Sequence, residues 1–412
     1  MTDLAGLLAA LPAGEGIAVH SGAAHPTRLA GALADAAPDL RGRRVYTLLP
    51  CGPVPYAEAA AREALELSTF LPGPGLRRAM DAGRVLPLAR ALSAVPAAVA
   101  SGEFRIGAVL LRVSPPDEAG RVSLGVAVDY MPAAIAAARV VIAEIDPRMP
   151  RTCGDCSLAA ARIDAYVESI DGPHSTSVSA PDPADEAIAE HLASLVEDGA
   201  VLQLGVGALP ERVLARLAHR KHLGLHTGII GDGARALIER GVIDNSTKGV
   251  LPGVSVATML LGSAGLYAFA DRNPAIEMHP CSFTHDAGVL RGLGAFTAIN
   301  SALQFDLEGR ANAETVGSRR ISLPGGLPDF ARAAASSPRG HSIIAVRACD
   351  KAGRSSIVPR LRDAEASLLP NEVDFFVTEY GIAAVRGASA AQRRKALLAI
   401  AHPAHREALA AH

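Results

Sequence analysis

Residues 200–220 read "AVLQLGVGALPERVLARLAHR", and this stretch decides the fold. An apolar run is followed by a turn of small residues, a proline and an amphipathic segment, which is the order of a β-strand, a turn and an α-helix. Residues 16–36, "GIAVHSGAAHPTRLAGALADA", repeat this order. Pro210 and Pro26 each fall near the first helical turn, where the N–H that proline lacks would have no partner within the helix. The sequence therefore predicts two open α/β domains, each with a mostly parallel sheet and helices on its faces.

The two turns also predict where a ligand binds. Small residues let a ligand approach the backbone closely, and the first turn of a helix offers N–H groups that lack partners within the helix. Ligands of open α/β sheets bind beyond the carboxyl ends of the strands. We therefore expect both turns to face one cleft.

The domain boundary is predicted within a polar connection. Residues 170–186, "IDGPHSTSVSAPDPADE", are rich in Ser, Pro and Asp, a composition typical of a loop. Asp182 or Asp185 then caps the helix that follows. The predicted domains are residues 1–178 and residues 184–412.

The composition excludes several classes of protein. The chain of 412 residues is 49% hydrophobic with a formal net charge of −2, so it has enough apolar residues for two cores and no basic field for nucleic acid or anionic lipid. Residues 249–270 carry no charge and are long enough to span a bilayer, but Pro252 and several glycines favour a buried strand and a buried helix. The N-terminus lacks the basic region of a signal peptide. No nucleic-acid or membrane partner is expected.

The cysteines indicate the compartment. Five cysteines, an odd number, suit a reducing environment, so a soluble cytoplasmic protein is predicted. Cys153 and Cys156 form a Cys-x-x-Cys motif, but a structural zinc site needs a second pair of ligands at similar spacing, and the sequence shows none. We therefore expect two incidental buried cysteines and no metal.

A resemblance to a known family covers nearly the whole chain. The segments that carry it are, in order, "VSPPDEAGRVSLGVAVDY" from Val113, "MPRTCGD" from Met149, "QLGVGALPERV" from Gln203, "INSALQFDLEGRAN" from Ile299, "GGLPDFARAAASS" from Gly325, "SSIVPRL" from Ser355, "VDFFVTEYGIAAVRG" from Val373 and "IAHPAHREAL" from Ile400. In these segments the chain resembles the acetyl-CoA hydrolase/transferase family, which includes acetate, succinate and hydroxybutyrate CoA-transferases. The resemblance implies two related α/β domains of the CoA-transferase type, with the active site between them. It also implies an acyl-CoA substrate, of which coenzyme A is a part, no separately bound cofactor, and a homodimer.

The resemblance assigns the turn Gly205-Val206-Gly207 to CoA-ester binding. A thioester carbonyl that is attacked develops negative charge on its oxygen, and the backbone N–H groups of a glycine turn suit that charge. Without the resemblance, these residues would be read as a tight turn between a strand and a helix, with no ligand.

A second pair of glycines is also assigned to CoA binding. Gly325 and Gly326 stand where the family has a Ser-Gly-x-Gly-Gly loop against CoA, and Leu323 replaces the first glycine of that loop. We expect a narrower pantetheine or acyl channel as a result. The segment around Pro359 and the carboxylate of Glu379 are expected to be structural.

The catalytic nucleophile of the family is missing. Family transferases attack the acyl-CoA carbonyl with a glutamate, which then forms a glutamyl-CoA thioester. That glutamate follows a His-Thr pair and precedes an Asp-Gly pair, and the equivalent position here is Gly228, between His226-Thr227 and Asp232-Gly233. Asp232, expected to cap a helix, and Glu239 have counterparts in the family that coexist with the nucleophile, so neither is expected to replace it.

Histidines occupy other positions of the expected site. His285 replaces an asparagine of the family, and His25 stands where Glu or Gln is frequent; His226 precedes the nucleophile position. An imidazole with a pKa near neutrality can activate water or protonate an enolate carbon. The alternative is that each histidine satisfies a local hydrogen bond. Cys281 replaces a small apolar residue and is expected to be buried and inert.

Three functional hypotheses follow. The leading one is an acyl-CoA enzyme that works without a glutamyl-CoA intermediate, most simply by thioester hydrolysis; decarboxylation through an enolate, or acyl transfer to a non-carboxylate nucleophile, is equally open. The second is an ordinary CoA-transferase that uses another carboxylate. The third is a non-catalytic protein that binds acyl-CoA.

Overall fold

The computed structural model describes residues 4–58, 63–177, 182–361 and 366–412, and the chain forms two compact units. The first unit comprises Met1–Thr176 and Val256–Thr284, and the second comprises Ser177–Ser255 and His285–His412. The predicted linker lies partly outside the described residues. The predicted second domain, residues 184–412, differs from the structure because Val256–Thr284 belongs to the first unit.

The first unit is built on a sheet of seven strands. Within residues 1–176 the strands are β1 (Gly16–Val19), β2 (Arg44–Leu48), β3 (Glu66–Leu71), β4 (Val85–Pro87), β5 (Ile106–Val113), β6 (Arg121–Ser123), β7 (Val140–Ile145), β8 (Cys153–Gly154), β9 (Ser157–Ala159) and β10 (Ala165–Glu168). The sheet order is β10-β7-β5-β1-β2-β3-β4, and every neighbouring pair in it is parallel. The α-helices are α1 (Leu4–Ala9), α2 (Thr27–Asp35), α3 (Arg77–Asp81), α4 (Val95–Ala100) and α5 (Met131–Ala137).

The central strands of this sheet are buried along their whole length. All residues of β1 and β5 are buried, as expected for a parallel sheet covered on both faces. Arg112 of β5 carries a charged side chain within this buried strand, and its guanidinium is fully buried. It donates to Glu144 at 2.8 Å and to Asp171 at 2.6 Å, so its charge is paired inside the unit.

The remaining strands and helices follow in chain order. The strands are β11 (Val201–Leu204), β12 (Gly224–Leu225), β13 (Ile229–Ile230), β14 (Ser255–Ala257), β15 (Met259–Leu260), β16 (Ile276–Met278), β17 (Phe296–Ser301), β18 (Gln304–Asp306), β19 (Ala311–Asn312), β20 (Thr315–Val316), β21 (Arg319–Arg320), β22 (Ser342–Ala345), β23 (Ile357–Val358), β24 (Phe375–Thr378) and β25 (Gly381–Ala384). The α-helices are α6 (Pro183–Ser194), α7 (Ala208–Arg216), α8 (Asp232–Glu239), α9 (Ala264–Ala270), α10 (Cys281–Thr284), α11 (Ala287–Arg291), α12 (Leu327–Ala335), α13 (Ala390–Ala399) and α14 (Pro403–Ala410). Short 3₁₀ turns occupy Gly22–Ala24, Ala37–Leu40, Pro55–Ala57, Pro74–Leu76, Leu92–Ala94, Ala160–Arg162, Leu217–His219 and Pro370–Glu372.

The second unit has a six-stranded sheet in the order β12-β11-β17-β22-β24-β25. Its pairs are parallel except for β24 and β25, which are antiparallel. The predicted fold class, α/β with mostly parallel sheets, is confirmed. Both predicted strand-turn-helix segments are present as β1 with α2 and β11 with α7, and the side chain of Asp182, not Asp185, caps α6.

Hydrogen bonds explain why Val256–Thr284 joins the first unit. Strand β16 pairs in parallel with β8, and the N–H of Leu260 donates to the carbonyl of Val126 at 2.8 Å. The stretch 249–270 without charges contains short strands and α9, as expected for buried structure. Across the described ranges, no α-helix combines the length and the apolar character needed to cross a bilayer.

Candidate active site

The glycine turn after β11 is open. Gly207 is the N-cap of α7 with φ +124° and ψ −175°, a backbone conformation essentially restricted to glycine. A Cβ built at Gly205 or Gly207 would meet no described atom within 4 Å. The turn therefore presents accessible backbone at the carboxyl end of a strand and at the start of a helix, as the sequence predicted.

The nucleophile position lies beside this turn. Strands β11 and β12 are parallel neighbours, and the chain reaches Gly228 three residues after β12 ends. The hydroxyl of Thr227 donates to the carbonyl of Leu204, the last residue of β11, at 2.7 Å. This bond holds together the two strand ends that carry Gly205 and Gly228.

The backbone at position 228 does not require glycine. Gly228 has no left-handed φ, and a Cβ built there would lie 3.4 Å from Cε2 of Phe330 and 3.5 Å from Nε2 of His285. These are ordinary van der Waals distances, so a side chain could start here without backbone strain. The three nearest heavy atoms belong to Phe330 and His285, and none is a carboxylate oxygen.

At position 326, in contrast, the neighbouring side chains leave no room for a Cβ. A Cβ at this position would lie 2.5 Å from Nε2 of His285 and 3.0 Å from the Phe330 ring. The rings of His285 and Phe330 are in contact, with centroids 4.4 Å apart. The structure therefore gathers three residues predicted from the sequence, Gly228, His285 and Gly326, around one phenylalanine. Gly325 precedes them with φ +56°.

The electrostatics of His285 differ from the expectation of a near-neutral pKa. The side chain is buried, with 2% of the residue exposed, and burial lowers its pKa from 6.5 to about 3. At neutral pH the imidazole is therefore uncharged. One ring nitrogen carries a proton and the other carries a lone pair, so the ring can both donate and accept one hydrogen bond.

The nearby carboxylates have other roles. Gly231 is the N-cap of α8, so Asp232 does not cap the helix as predicted; it is the first helical residue, where its charge favours the helix dipole. Glu239 pairs with Arg235 at 3.0 Å. Glu211 accepts the backbone N–H of Gly233, and burial raises its pKa.

The other two histidines lie in different settings. His226 is buried at the end of β12, and its N–H donates to the carbonyl of Leu202 at 3.0 Å. His25 belongs to the first unit, where its Nε2 is 2.8 Å from the Tyr56 hydroxyl. Burial, followed by the charge of His174, lowers the pKa of His25 to about 3. These contacts favour a structural role for His25, and its catalytic role stays a prediction.

The cysteines named from the sequence are all free thiols. Burial raises the pKa of both Cys153 and Cys156, which keeps them protonated and poorly nucleophilic at neutral pH. Cys281 is fully buried in the first unit. Leu323 is also buried, and its effect on a pantetheine channel stays a prediction.

A cavity of about 680 Å³ belongs to the first unit, and a larger one of about 810 Å³ lies in the second unit, at the carboxyl ends of β17, β22 and β24. The larger cavity is lined by residues that include Leu209 of α7, Ser301, Arg347, Lys351 and Glu379. The Glu379 carboxylate accepts the N–H of Ala348 at 2.9 Å, which supports the structural role predicted for it. The cavity therefore combines an apolar wall with two basic and four acidic side chains, beside the helix that begins at the glycine turn.

Sequence reasoning missed a buried carboxyl group in the first unit. Asp129 is fully buried, and burial raises its pKa to about 7. Its Oδ1 accepts from the Ser21 hydroxyl at 3.1 Å and from the N–H of Tyr130 at 2.6 Å, and its Oδ2 has no hydrogen-bond partner within the described part of the chain. Asp129 also has φ +24°, an uncommon conformation for a non-glycine residue. Its place within the segment from Val113 was the available signal, but nothing in the sequence showed that it would be buried.

Comparisons with known proteins agree with this fold. The family models for the acetyl-CoA hydrolase/transferase N-terminal and C-terminal domains match residues 7–173 and 262–412. The chain is 35% identical to the 4-hydroxybutyrate coenzyme A transferase of Clostridium kluyveri, over 93% of this chain and 90% of that protein.

Solved structures give the same result. The crystal structure of RipA from Yersinia pestis aligns with a TM-score of 0.89 at 30% identity, over 99% of this chain and 95% of RipA. The 4-hydroxybutyrate CoA-transferase of Porphyromonas gingivalis aligns with a TM-score of 0.84 at 32% identity, over 98% of this chain and 95% of that one. The class of protein is thus that of enzymes that act on CoA thioesters. The chain belongs to the acetyl-CoA hydrolase/transferase family.

Proposed function

We propose that this protein hydrolyses an acyl-CoA thioester by direct attack of water, without a glutamyl-CoA intermediate. The observation that carries the proposal is the environment of Gly228. This position has no side chain, and the atoms nearest to its virtual Cβ belong to the imidazole of His285 and the ring of Phe330. We infer that a water molecule takes the place of the missing glutamate, beside a neutral base.

The reaction needs one nucleophile, one proton acceptor and one oxyanion site. The water oxygen bonds to the thioester carbon while His285 accepts its proton, and the carbonyl oxygen takes the negative charge. Gly205 is exposed and Gly207 is partly exposed, and their turn is tied to the Gly228 strand end through Thr227. Collapse of the intermediate breaks the carbon–sulfur bond, and the thiolate of CoA recovers the proton.

The lowered pKa of His285 determines at which stage of the reaction the ring can accept a proton. A histidine with a pKa of about 3 is a weak base in the free enzyme. An oxyanion that develops about 4 Å from the ring stabilises the imidazolium by about 4 kcal/mol at an effective dielectric constant of about 20. Since one pKa unit corresponds to about 1.4 kcal/mol, this gain offsets most of the burial penalty when the proton moves. His285 is thereby a base mainly in the transition state.

The rest of the substrate has a matching site in the same unit. The cavity of about 810 Å³ is large enough for a segment of CoA, and its lining combines apolar residues with two basic and four acidic side chains, which favours the uncharged pantetheine segment over the phosphates. Arg347 pairs with Asp185 through two contacts, at 2.9 and 2.7 Å, which fixes its guanidinium at the cavity wall.

The first experiment measures release of free CoA from acetyl-, propionyl-, butyryl- and succinyl-CoA, with and without added acetate. Hydrolysis predicts release of the thiol at the same rate in both cases, and no inactivation by borohydride in the presence of acyl-CoA. Formation of a new acyl-CoA only with acetate, together with inactivation, would show an ordinary CoA-transferase. Release of CO₂ with CoA still esterified would show decarboxylation, and binding without turnover would show a non-catalytic protein; each of these results contradicts the proposal.

The second experiment restores the family nucleophile. In Gly228→Glu the new side chain starts from unstrained backbone and displaces the water, so hydrolysis should fall and a borohydride-sensitive glutamyl-CoA thioester should form. Gly228→Gln has the same size and no nucleophile, so it should lose hydrolysis without forming the thioester. Full hydrolytic activity in Gly228→Gln would show that water does not occupy this position.

A further inference from the structure

Three side chains of the second unit, outside the candidate active site, offer metal-ligand atoms to one point. Cys349, His402 and His405 each contribute one such atom, and these atoms all lie within 4.8 Å of one another. All three side chains are partly buried, so they are held in place while solvent can still reach them. The set is one thiol and two imidazoles, which is the ligand chemistry that zinc prefers.

Backbone hydrogen bonds hold the loop that carries Cys349. Cys349 forms an antiparallel bridge with Ser355, and the N–H of Asp350 donates to the carbonyl of Arg354 at 2.9 Å. The N–H of Ala348 is held by Glu379 at 2.9 Å. The backbone is thus fixed on both sides of the thiol.

The two histidines share one face at the start of α14. His402 is the N-cap and His405 lies three residues later, a spacing that makes neighbours on a helix. Nε2 of His405 is 3.0 Å from the carbonyl of Gly353, which leaves Nδ1 as the nitrogen with the lone pair. A histidine that donates one N–H to a backbone carbonyl is oriented as metal-ligating histidines usually are.

His402 has a competing interaction. Its Nδ1 accepts the N–H of Ala404 at 3.2 Å, which caps the helix. Metal coordination by this ring breaks that bond, so the bound metal must stabilise the site by more than one helix cap does. Structural zinc sites contribute several times that amount.

Nearby charges favour a cation. The carboxylates of Glu379 and Asp350 line the same cavity as the thiol of Cys349. The same negative potential that disfavours a bare thiolate attracts a divalent cation. Once a metal is bound, its positive charge favours the thiolate form of Cys349 over the thiol.

We propose that Cys349, His402 and His405 form a binding site for one divalent metal ion of the zinc class, with the fourth coordination position open to water. Binding forms one metal–sulfur and two metal–nitrogen bonds and releases the thiol proton to solvent. The site differs from the absence of metal expected from the sequence, and it does not depend on the proposed hydrolysis. Because Cys349, Arg347 and Lys351 all line the larger cavity, the metal would fix the loop that carries them to the last helix.

The test is a titration of the full-length, chelator-treated protein with Zn²⁺ and with Co²⁺. We expect one equivalent to bind, and the Co²⁺ form to show a thiolate-to-metal charge-transfer band. Cys349→Ser should abolish the band, and Cys349→Ser and His405→Gln should each weaken Zn²⁺ binding at least about tenfold. Cys153→Ser, which removes the other partly buried thiol, should change neither.

Two further measurements make the result decisive. One equivalent of Zn²⁺ should protect one thiol from a thiol reagent in the wild type and in Cys153→Ser, but not in Cys349→Ser. Unfolding midpoints of the metal-free variants should match the metal-free wild type, which separates lost coordination from lost folding. The proposal is overturned if the wild type binds no Zn²⁺, if Cys349→Ser binds as tightly as the wild type, or if Cys153→Ser is the variant that loses the metal.

Discussion

The turn after β1 and the turn after β11 have the same sequence pattern and different surroundings. In the first, every residue from His20 to His25 is buried, Nε2 of His20 is 2.8 Å from the carbonyl of Ala127, and Ser21 donates to Asp129. In the second, a Cβ built at Gly205 or Gly207 meets no described atom within 4 Å.

The difference shows what a strand-turn-helix pattern can and cannot predict. In the first unit, residues 126–130 fill the space at the turn and use its polar groups internally. In the second unit the turn keeps its backbone groups accessible. The same local structure is thus part of the core in one unit and a candidate ligand site in the other. Substitutions at the first turn should therefore change stability, and those near the second should change activity.

The largest effect is expected from the two histidines with similarly lowered pKa values, replaced one at a time by leucine. His285→Leu removes the proposed base and should lower hydrolysis by about 10²–10⁴-fold, with an unfolding midpoint near that of the wild type. His25→Leu leaves the buried Tyr56 hydroxyl without its partner and should cost about 1–3 kcal/mol of stability, with hydrolysis retained. Steady-state kinetics and denaturant unfolding measure both. An equal loss of activity in His25→Leu would restore its predicted catalytic role.

The next largest effect is expected in the pH dependence of stability, to which the buried carboxyl group of Asp129 in the first unit contributes. Its folded pKa of about 7 exceeds the unfolded value of about 3.9, so the folded state keeps a proton that the unfolded state has lost between these pH values. Its contribution to stability is therefore present below pH ~4 and is lost as the pH rises to about 7, up to about 4 kcal/mol in total. Asp129→Asn, which cannot ionise, should flatten this part of the stability curve and be more stable than the wild type at pH 8. If the unfolding free energies of Asp129→Asn and the wild type change with pH in parallel, Asp129 is already ionised in the folded state.

Gly205→Ala is expected to have a smaller effect, which raises stability and lowers activity. The backbone there has no left-handed φ and a Cβ has open space, so Gly205→Ala should raise stability by about 0.4–1 kcal/mol by restricting the unfolded chain. If the turn binds the thioester, the added methyl group enters the site and kcat/KM should fall by about tenfold, which is about 1.4 kcal/mol. Unchanged kinetics in the stabilised variant would remove the turn from the site.

The smallest effect is expected at Ser21, as the counterpart of Gly205 in the first unit. Ser21→Ala removes one buried hydrogen bond to Asp129 and should cost about 1 kcal/mol of stability. Hydrolysis should not change. A loss of activity without a loss of stability would show that this turn also takes part in the chemistry.

Much of the fold could be predicted from particular residues. The apolar runs of β1 and β11, each followed by small residues and a proline, predicted the two parallel sheets. Asp182 or Asp185 was expected to cap α6, and the side chain of Asp182 does so. The sequence did not predict that Val256–Thr284 packs with the first unit, because this packing depends on pairing with β8 and with residues 126–128, and such pairing leaves no local pattern.

The residues of the candidate site could be predicted from the sequence, but their burial and their pKa values could not. Gly228, His285 and Gly326 were all named from the resemblance, and the structure brings them together around Phe330. The pKa of His285 was expected near neutrality and is lowered to about 3, because burial depends on everything that packs around the ring. The Cys349 and histidine cluster was not found at all, since its members come from two distant segments.

The sequence by itself determined which segments are strands and helices, which family the chain resembles, and that no carboxylate stands at position 228. These properties depend on residue order and on local backbone preferences. Only the tertiary structure decided which of two similar turns is open, which histidine lies beside the vacant position, and which titratable groups are buried. Those properties depend on residues far apart in the chain, because solvation and contact are set by packing, and packing is a property of the whole fold.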